Sequence, residues 1–423
     1  MNIITHTTCR CCGSENMTPL FSLGEHFVSD FVDREHIYDG TECPIDLEQC
    51  RDCTLVQMKH TAPQELLYSG HYWYVSGRTQ TMRDALRDVA AAAERVANLK
   101  AGDVVLDIGS NDGTFLRSYE VSGLIKVGVE PAKNLAEEGA KGVGYFFQEF
   151  WPLSERTLEN MRLGGVDLSG ERKAKVITAL GMLYDAEDPN AFVAGVARCL
   201  AKDGVFIAQL MCAKNMLAVA DVGNLCHEHL LFFSLRSLES LFAKHGLEIF
   251  DIETNAVNGE SYRLYVRHKD SWIGASPEAS NRWIDAFNAE ASIGLNGPDA
   301  MMFFYRRACE NRQAVVDCVR SAVADGKTVA VLGASTKGNT LLQWWSFDSS
   351  VISFAAERSP EKHGKFTIGT GIPIVSEEEF RRRQPDFALI LPYAFEAEIR
   401  EREREWHERG GRFILPLPEV RIT

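Results

Sequence analysis

The sequence predicts an α/β protein in three parts: a cysteine-rich lobe at residues 1–75, a doubly wound parallel-sheet domain at 76–275, and a second, smaller α/β domain at 276–423. Three observations carry this reading. Two Cys-x2-Cys pairs, Cys9/Cys12 in "CRCC" and Cys50/Cys53 in "CRDC", stand in an irregular first segment. Far apart in the chain, "VVLDIGSNDGTFLRSY" and "KTVAVLGASTKGNTLLQWW" each read as an apolar strand, a glycine turn and a helix start. After each of them strands alternate with helical patterns, the signature of parallel sheets built from βαβ units.

At 423 residues the chain exceeds one ordinary core, and its 45% apolar and 25% charged residues are those of a globular protein. Lys and Arg number 45 against 59 Asp and Glu, a net charge of −14 without any basic block. Nucleic acid is therefore excluded as the main partner, while one local basic pocket still suffices for a small anion. No apolar run reaches the ~18 residues of a membrane span, and the start, "MNIITHTTCRCCG", is polar. We expect no membrane association, a cytoplasmic location and a monomer or weak homo-oligomer. In that setting the 11 cysteines are free thiols or metal ligands rather than disulfides.

Taken in order, the two cysteine pairs sit in turn-like contexts, "CCGSEN" and "CRDCTL". Together they offer four thiolates to one tetrahedral zinc. With every position taken by sulfur no open site is left, so the zinc is structural and staples a lobe too small for its own core. "RTQTMRDALRDVAAAAERVAN", residues 78–98, has apolar positions at helical spacing. The strand "VVLDI" then leads into Asp107, Gly109, Asn111, Asp112 and Gly113, and the next strand, "VGVEP", ends in Glu130. Glycine turns let the backbone approach a ligand, and an acidic residue at the second strand's end grips ribose hydroxyls. A dinucleotide shares this logic but wants G-x-G-x-x-G, which is absent. The D-x-G-x-N-D-G form resembles the S-adenosylmethionine loop of class I methyltransferases; on the residues alone, a dinucleotide or an empty fold stays open.

"AKVITALGMLYDAEDPNAFVAGVARCLAKDGVFIAQLM" supplies a third strand, a helix and a fourth strand, and a helical region covers about 276–325. The second glycine turn, "LGASTKGN", follows a strand and opens a helix, a place where backbone amides bind anions and Lys337 adds a charge. We expect Ser335, Thr336 and Lys337 to hold a diphosphate, with "GKFTIGTGIPI" closing over the same nucleotide. "EAEIREREREWHERGG" reads as a solvated helix with i,i+4 charge pairs.

The four-cysteine lobe, the "GSNDG" turn, the segment "GNLCHEHLLFFS" and the "GASTKGNTLL…IPIV…PLPEV" domain occur in one order. In that order they resemble the zinc-containing, S-adenosylmethionine-dependent sugar C-methyltransferases of branched deoxysugar biosynthesis, over essentially the whole chain. The resemblance implies a zinc-knuckle lobe, a class I methyltransferase domain and a C-terminal Rossmann-like domain. It implies a nucleotide-linked 4-ketohexose substrate, methylated beside the ketone at C3. It also implies that His229 is the base, that Glu228 orients it, and that Tyr72 and Tyr74 approach the sugar. Asn258, Ser261 and Arg263 fall on the family's substrate turn. Asp185 takes the place of a family histidine, Cys226 that of a tyrosine, and Glu260 interrupts a Gly-Gly-Ser turn. Those departures gather at the expected sugar pocket and leave the sugar open. An O-methyltransferase and a non-catalytic zinc-binding scaffold are the competing readings.

Overall fold

In a computed structural model, which describes residues 2–423, the chain forms three sheet-based units. The first is a four-stranded antiparallel sheet in the order Leu231–Phe232, Val56–Met58, Glu42–Cys50, Met17–Phe27. Its outermost strand does not come from the N-terminal lobe. Leu231 and Phe232, directly after the H-E-H run, pair with Gln57 and Val56. Lobe and run are therefore one hydrogen-bonded piece.

The central sheet has seven strands in the order Leu247–Asn255, Ser261–His268, Leu200–Met211, Ala174–Leu180, Val104–Ile108, Ile125–Val129, Tyr145–Phe147. Of these, Ser261–His268 alone runs antiparallel to its neighbours. Val104–Ile108 is buried at all five positions, as a central parallel strand with both faces covered must be. Strand order reverses between Val104–Ile108 and Ala174–Leu180, and open α/β sheets bind ligands beyond the strand ends at such a point.

The third unit repeats the scheme in six strands: Ile374–Ser376, Ala355–Glu357, Val329–Leu332, Phe387–Ile390, Arg412–Leu415 and the antiparallel Arg421–Ile422. The helical region resolves into Pro277–Ser292 and Pro298–Ala324. The second helix buries Met301, Phe304, Val315 and Val319 in a cluster shared with lobe residues Leu23 and Ile45 and with Val329 of the third sheet. "GKFTIGTGIPI" lies elsewhere than expected: Phe366–Thr367 pairs with Phe31–Val32 of the first lobe. It ties the two ends of the chain together and lines no nucleotide cavity among those below. The segment "EAEIREREREWHERGG" forms two short helices with i,i+4 pairs such as Arg400–Glu396, but Ile399, Glu403 and Trp406 are buried, so it packs one face. Among the described residues, no helix is long and apolar enough to cross a membrane.

Candidate active site

Cys9 and Cys50 each open the same knuckle. The amide of Cys12 points at Cys9 Sγ and that of Cys53 at Cys50 Sγ, both at 3.5 Å. Gly13 and Thr54 then turn the chain with positive φ, +82° and +69°. The four sulfurs lie within 4.8 Å of one another, with Cys9–Cys53 and Cys12–Cys50 at 3.5 Å. A zinc with ~2.3 Å bonds to sulfur needs edges of about 3.8 Å, so a small contraction or expansion of this cluster accommodates it. Cys11, the spare thiol, is fully buried and turns away to the carbonyl of Ser237.

Over the carboxyl ends of the central strands lies a cavity of about 230 Å3, lined by Gly109, Asn111, Glu130, Trp151, Leu180 and Asp185 among others. Glu130 braces it: one carboxylate oxygen accepts the Asn111 amide at 2.9 Å, the other that of Ala132 at 3.0 Å. Burial pushes its pKa up while these two amides pull it down. Gly109 has φ +70°, and a Cβ there would meet Met182 at 3.0 Å. The Asn111 side chain accepts from the Ser76 amide and donates to the Tyr74 carbonyl, so the segment after the lobe is fastened to the turn.

Three of the expected cofactor contacts are used differently. Asp107 is buried and accepts the Thr178 hydroxyl at 2.6 Å across the sheet; burial lifts its pKa to about 8. Asp112 accepts the amides of Gly77 and Thr114 at the start of the next helix. Gly113 sits where a Cβ would strike the Gly139 carbonyl at 2.6 Å, a packing constraint. Of these three, none lines the cavity. The motif shapes the turn with some residues and presents others.

A second cavity, about 170 Å3, adjoins the first and shares Tyr72, Tyr74, Leu180, Gly181 and Asp185 with it. His229, Glu228, Gln209, Ser261, Lys337 and Asn224 are among its other polar lining residues. His229 Nδ1 stands 3.0 Å from the backbone carbonyl of Asn224. A carbonyl only accepts, so Nδ1 carries the hydrogen and Nε2 keeps a lone pair. Burial, and then the positive charge of Lys337, hold the imidazole pKa well below its ordinary value, so the ring is neutral at neutral pH. The Tyr184 ring meets it edge to face at 4.7 Å. Neighbouring His227 points the other way, to the carbonyl of Cys43 at 2.8 Å, with its pKa lowered to about 4 by burial.

Asp185 is buried with Oδ1 unpartnered at the junction of the two cavities, and burial followed by the charge of Glu228 raises its pKa. Glu228 is raised by burial as well, against the pull of Thr336 and Lys337. The Tyr68 hydroxyl donates to the Glu228 carbonyl at 3.1 Å.

A third cavity of about 230 Å3 opens between Tyr72, Tyr74 and the second glycine turn, with Ser335, Thr336, Arg78, Arg358, Lys362 and Arg402 in its wall. All four of these cations are already engaged: Arg78 with Glu361, Arg358 with Glu398, Arg402 with Glu377, and Lys362 with the Ala334 carbonyl at 2.7 Å. Glu357, ending the second strand, accepts the amides of Ala334, Arg358 and Ser359. Ser335 caps its helix by accepting the Gly338 amide at 3.0 Å.

With this geometry in hand, the chain can be set beside known proteins. Family models match end to end: a putative zinc binding domain over residues 9–68, a methyltransferase domain over 50–252 and a C-methyltransferase C-terminal domain over 256–418. The C-methyltransferase NovU of Streptomyces niveus is 31% identical over 98% of this chain and 96% of its own length. The chain belongs to this family of zinc-binding C-methyltransferases. It is an S-adenosylmethionine-dependent methyltransferase, and its cofactors are S-adenosylmethionine and zinc. Among solved structures, magnesium protoporphyrin IX methyltransferase of Synechocystis PCC 6803 with bound S-adenosylmethionine is 13% identical, covering 44% of this chain and 79% of that one at a TM-score of 0.32. A possible histamine N-methyltransferase of Thermotoga maritima is 19% identical, covering 44% and 92% at the same score, 0.32.

Two further expectations for the methyltransferase need correcting. Arg263 does not reach the second cavity; it is buried behind it, paired with Asp88 at 2.7 Å and donating to Gln209 Oε1 at 3.1 Å. Lys337 leaves the third cavity and enters the second, where its ammonium donates to Asn224 Oδ1 at 2.6 Å. The Asn258 side chain lies outside the described residues, while Ser261 lines the second cavity. Reading the sequence missed Asn224, Tyr184 and Gln209. Asn224 lies inside the "GNLCHEHLLFFS" stretch, but an asparagine in a loop carries no local signal; its partners arrive from other parts of the chain.

Proposed function

We propose that this methyltransferase transfers the methyl group of S-adenosylmethionine to the carbon beside the ketone of a nucleotide-linked 4-keto sugar, at C3. The observation that carries the reading is His229: a neutral imidazole, fixed in one tautomer, lining a cavity that opens onto the cofactor cavity. Gly109, Asn111 and Glu130 hold the cofactor, with Glu130 offering its remaining lone pairs to hydroxyls. When bound, the cofactor supplies an electrophilic sulfonium methyl.

His229 Nε2 takes the proton from the carbon beside the ketone, and the electrons of that C–H bond pass toward the carbonyl oxygen. The carbon so activated would take the sulfonium methyl that a cofactor held by Gly109, Asn111 and Glu130 would supply, leaving a neutral thioether. The ketone reforms, and His229 loses its proton to solvent. Asp185 and Tyr72 stand where the cavities meet and position the sugar between base and methyl. Glu228 and Tyr74 line both the second and third cavities. The nucleotide then occupies the third, with its diphosphate near the first-turn amides of the helix that starts at Thr336, which have no carbonyl partner within the helix.

The test is incubation with cofactor and a panel of 4-keto nucleotide sugars. A mass gain of one methyl, placed by NMR on C3, is the expected result. A methyl on oxygen would replace this chemistry with O-methylation, and no methylated product from any member would overturn the substrate class.

A further inference from the structure

If a base removes the proton beside a ketone, negative charge collects on the ketone oxygen, and something must meet it in a cavity with little water. The backbone turn that lines the cofactor cavity is committed to the cofactor side. The second cavity therefore has to provide the countercharge from its own wall. Among the described residues lining it, Lys337 is the one lysine or arginine. Its ammonium has three N–H donors and gives one to Asn224 Oδ1 at 2.6 Å, leaving two for the cavity.

Asn224 links that cation to the base. Its side-chain oxygen holds Lys337, and its backbone carbonyl holds His229 Nδ1. The side chain is itself fixed from behind, because Nδ2 donates to Asp221 Oδ2 at 2.6 Å and Tyr393 donates to the same oxygen at 2.8 Å. Base and cation are thereby set on one buried residue, 2% exposed. The two acids in the same wall, Asp185 and Glu228, are both pushed toward the neutral form by burial.

We infer that Lys337 is a catalytic residue that binds the ketone oxygen and stabilises the enolate formed by His229. The inference rests on the keto-sugar reading above and departs from the expectation that Lys337 holds the diphosphate. In the balanced step, the C–H bond breaks, its proton goes to His229 Nε2, and its electron pair forms the C=C bond while the C=O pair moves to oxygen. Lys337 keeps its proton throughout and donates a hydrogen bond to that oxygen. The C-terminal domain thus completes the chemistry of the central one rather than only holding the nucleotide.

The experiment compares the intact zinc-loaded enzyme with Lys337→Gln and Lys337→Arg, using the 4-keto nucleotide sugar that gains a methyl. It reads deuterium uptake at C3 from heavy water without the methyl donor, at saturating sugar, beside the dissociation constants of the sugar nucleotide and of S-adenosylmethionine. The expected result is an exchange rate ~10²–10³-fold lower in Lys337→Gln, partial recovery in Lys337→Arg, and cofactor binding unchanged in both. Unchanged cofactor binding also shows that the variants fold. Exchange in Lys337→Gln equal to wild type overturns the inference alone. A much weaker sugar-nucleotide affinity with full exchange at saturation overturns it too and returns Lys337 to the diphosphate. Absence of exchange in the wild type overturns both this inference and the proposed reaction.

Discussion

The central and C-terminal units solve the same problem at their first turn and then put it to opposite uses. In each, a glutamate at the end of the second strand accepts an amide from the turn after the first: Glu130 from Asn111, Glu357 from Ala334. In the central unit the turn is long, with Gly109, Asn111 and Gly113 all at positive φ, and the helix that follows has four residues. The backbone itself therefore faces the ligand. In the C-terminal unit one positive φ, at Gly333, leads into a nine-residue helix capped by its own Ser335. That turn is closed sooner, and the side chain of Lys337 leaves it for the neighbouring cavity. A shared βα turn thus lines a cavity with its own residues in one unit and, in the other, sends a charged side chain into a neighbouring cavity.

Four experiments break or sharpen this comparison. The largest effect is expected from zinc removal, because the strand directly after His229, Leu231–Phe232, is the outer strand of the lobe's sheet. Chelation, or Cys50→Ser, removes on the order of 10 kcal/mol of metal-linked folding energy from that lobe. Methyl transfer is then abolished, while binding of S-adenosylmethionine weakens but persists on the central sheet; calorimetry and a zinc assay follow the two together. Equal loss of both would show that the lobe supports the cofactor turn directly.

His229→Ala should lower turnover by ~10²–10⁴-fold and stop deuterium uptake at the acceptor carbon. Cofactor affinity should stay at its wild-type value, since His229 lines the second cavity only. Exchange that survives the substitution assigns the base elsewhere.

The paired glutamates give a direct reading of the two turns. Glu130→Gln is expected to cost about 2 kcal/mol, roughly thirtyfold, in affinity for S-adenosylmethionine and little for the sugar nucleotide. Glu357→Gln should show the reverse pattern. Identical effects of both substitutions on one ligand would erase the division of labour.

The smallest effect is on pH dependence. Burial lowers the His229 pKa, and a base works only when unprotonated, so kcat/KM should hold as pH falls through about 6.5 and decline only below it. An acid limb at or above the ordinary histidine value would mean that water reaches the base in the free enzyme.

The sequence made several parts of this protein legible, and for one physical reason: they are set by neighbours in the chain. Two Cys-x2-Cys knuckles, two strand–glycine–helix turns and the H-E-H run are local patterns whose backbone conformation follows from a few adjacent residues. The opposite directions of His227 and His229 were not among them: two residues apart they would share one face of an extended segment, and a turn at His227–Glu228, closed by the His229 amide donating to the Cys226 carbonyl, separates them. Asp107, Asp112 and Gly113 show the limit of the same logic, because a motif does not say which of its members face the ligand and which hold the turn.

What tertiary structure alone decided is the wiring between these parts. Arg263 is withdrawn behind Gln209 by Asp88, which lies on another element. "GKFTIGTGIPI" is taken up by a strand of the first lobe. Lys337 meets Asn224 across 113 positions of sequence, and that single contact places a lysine in the cavity that His229 lines. A side chain's partner is chosen by burial and by whichever donor or acceptor the packed neighbour leaves unmatched, and neither quantity exists until the three units close on one another.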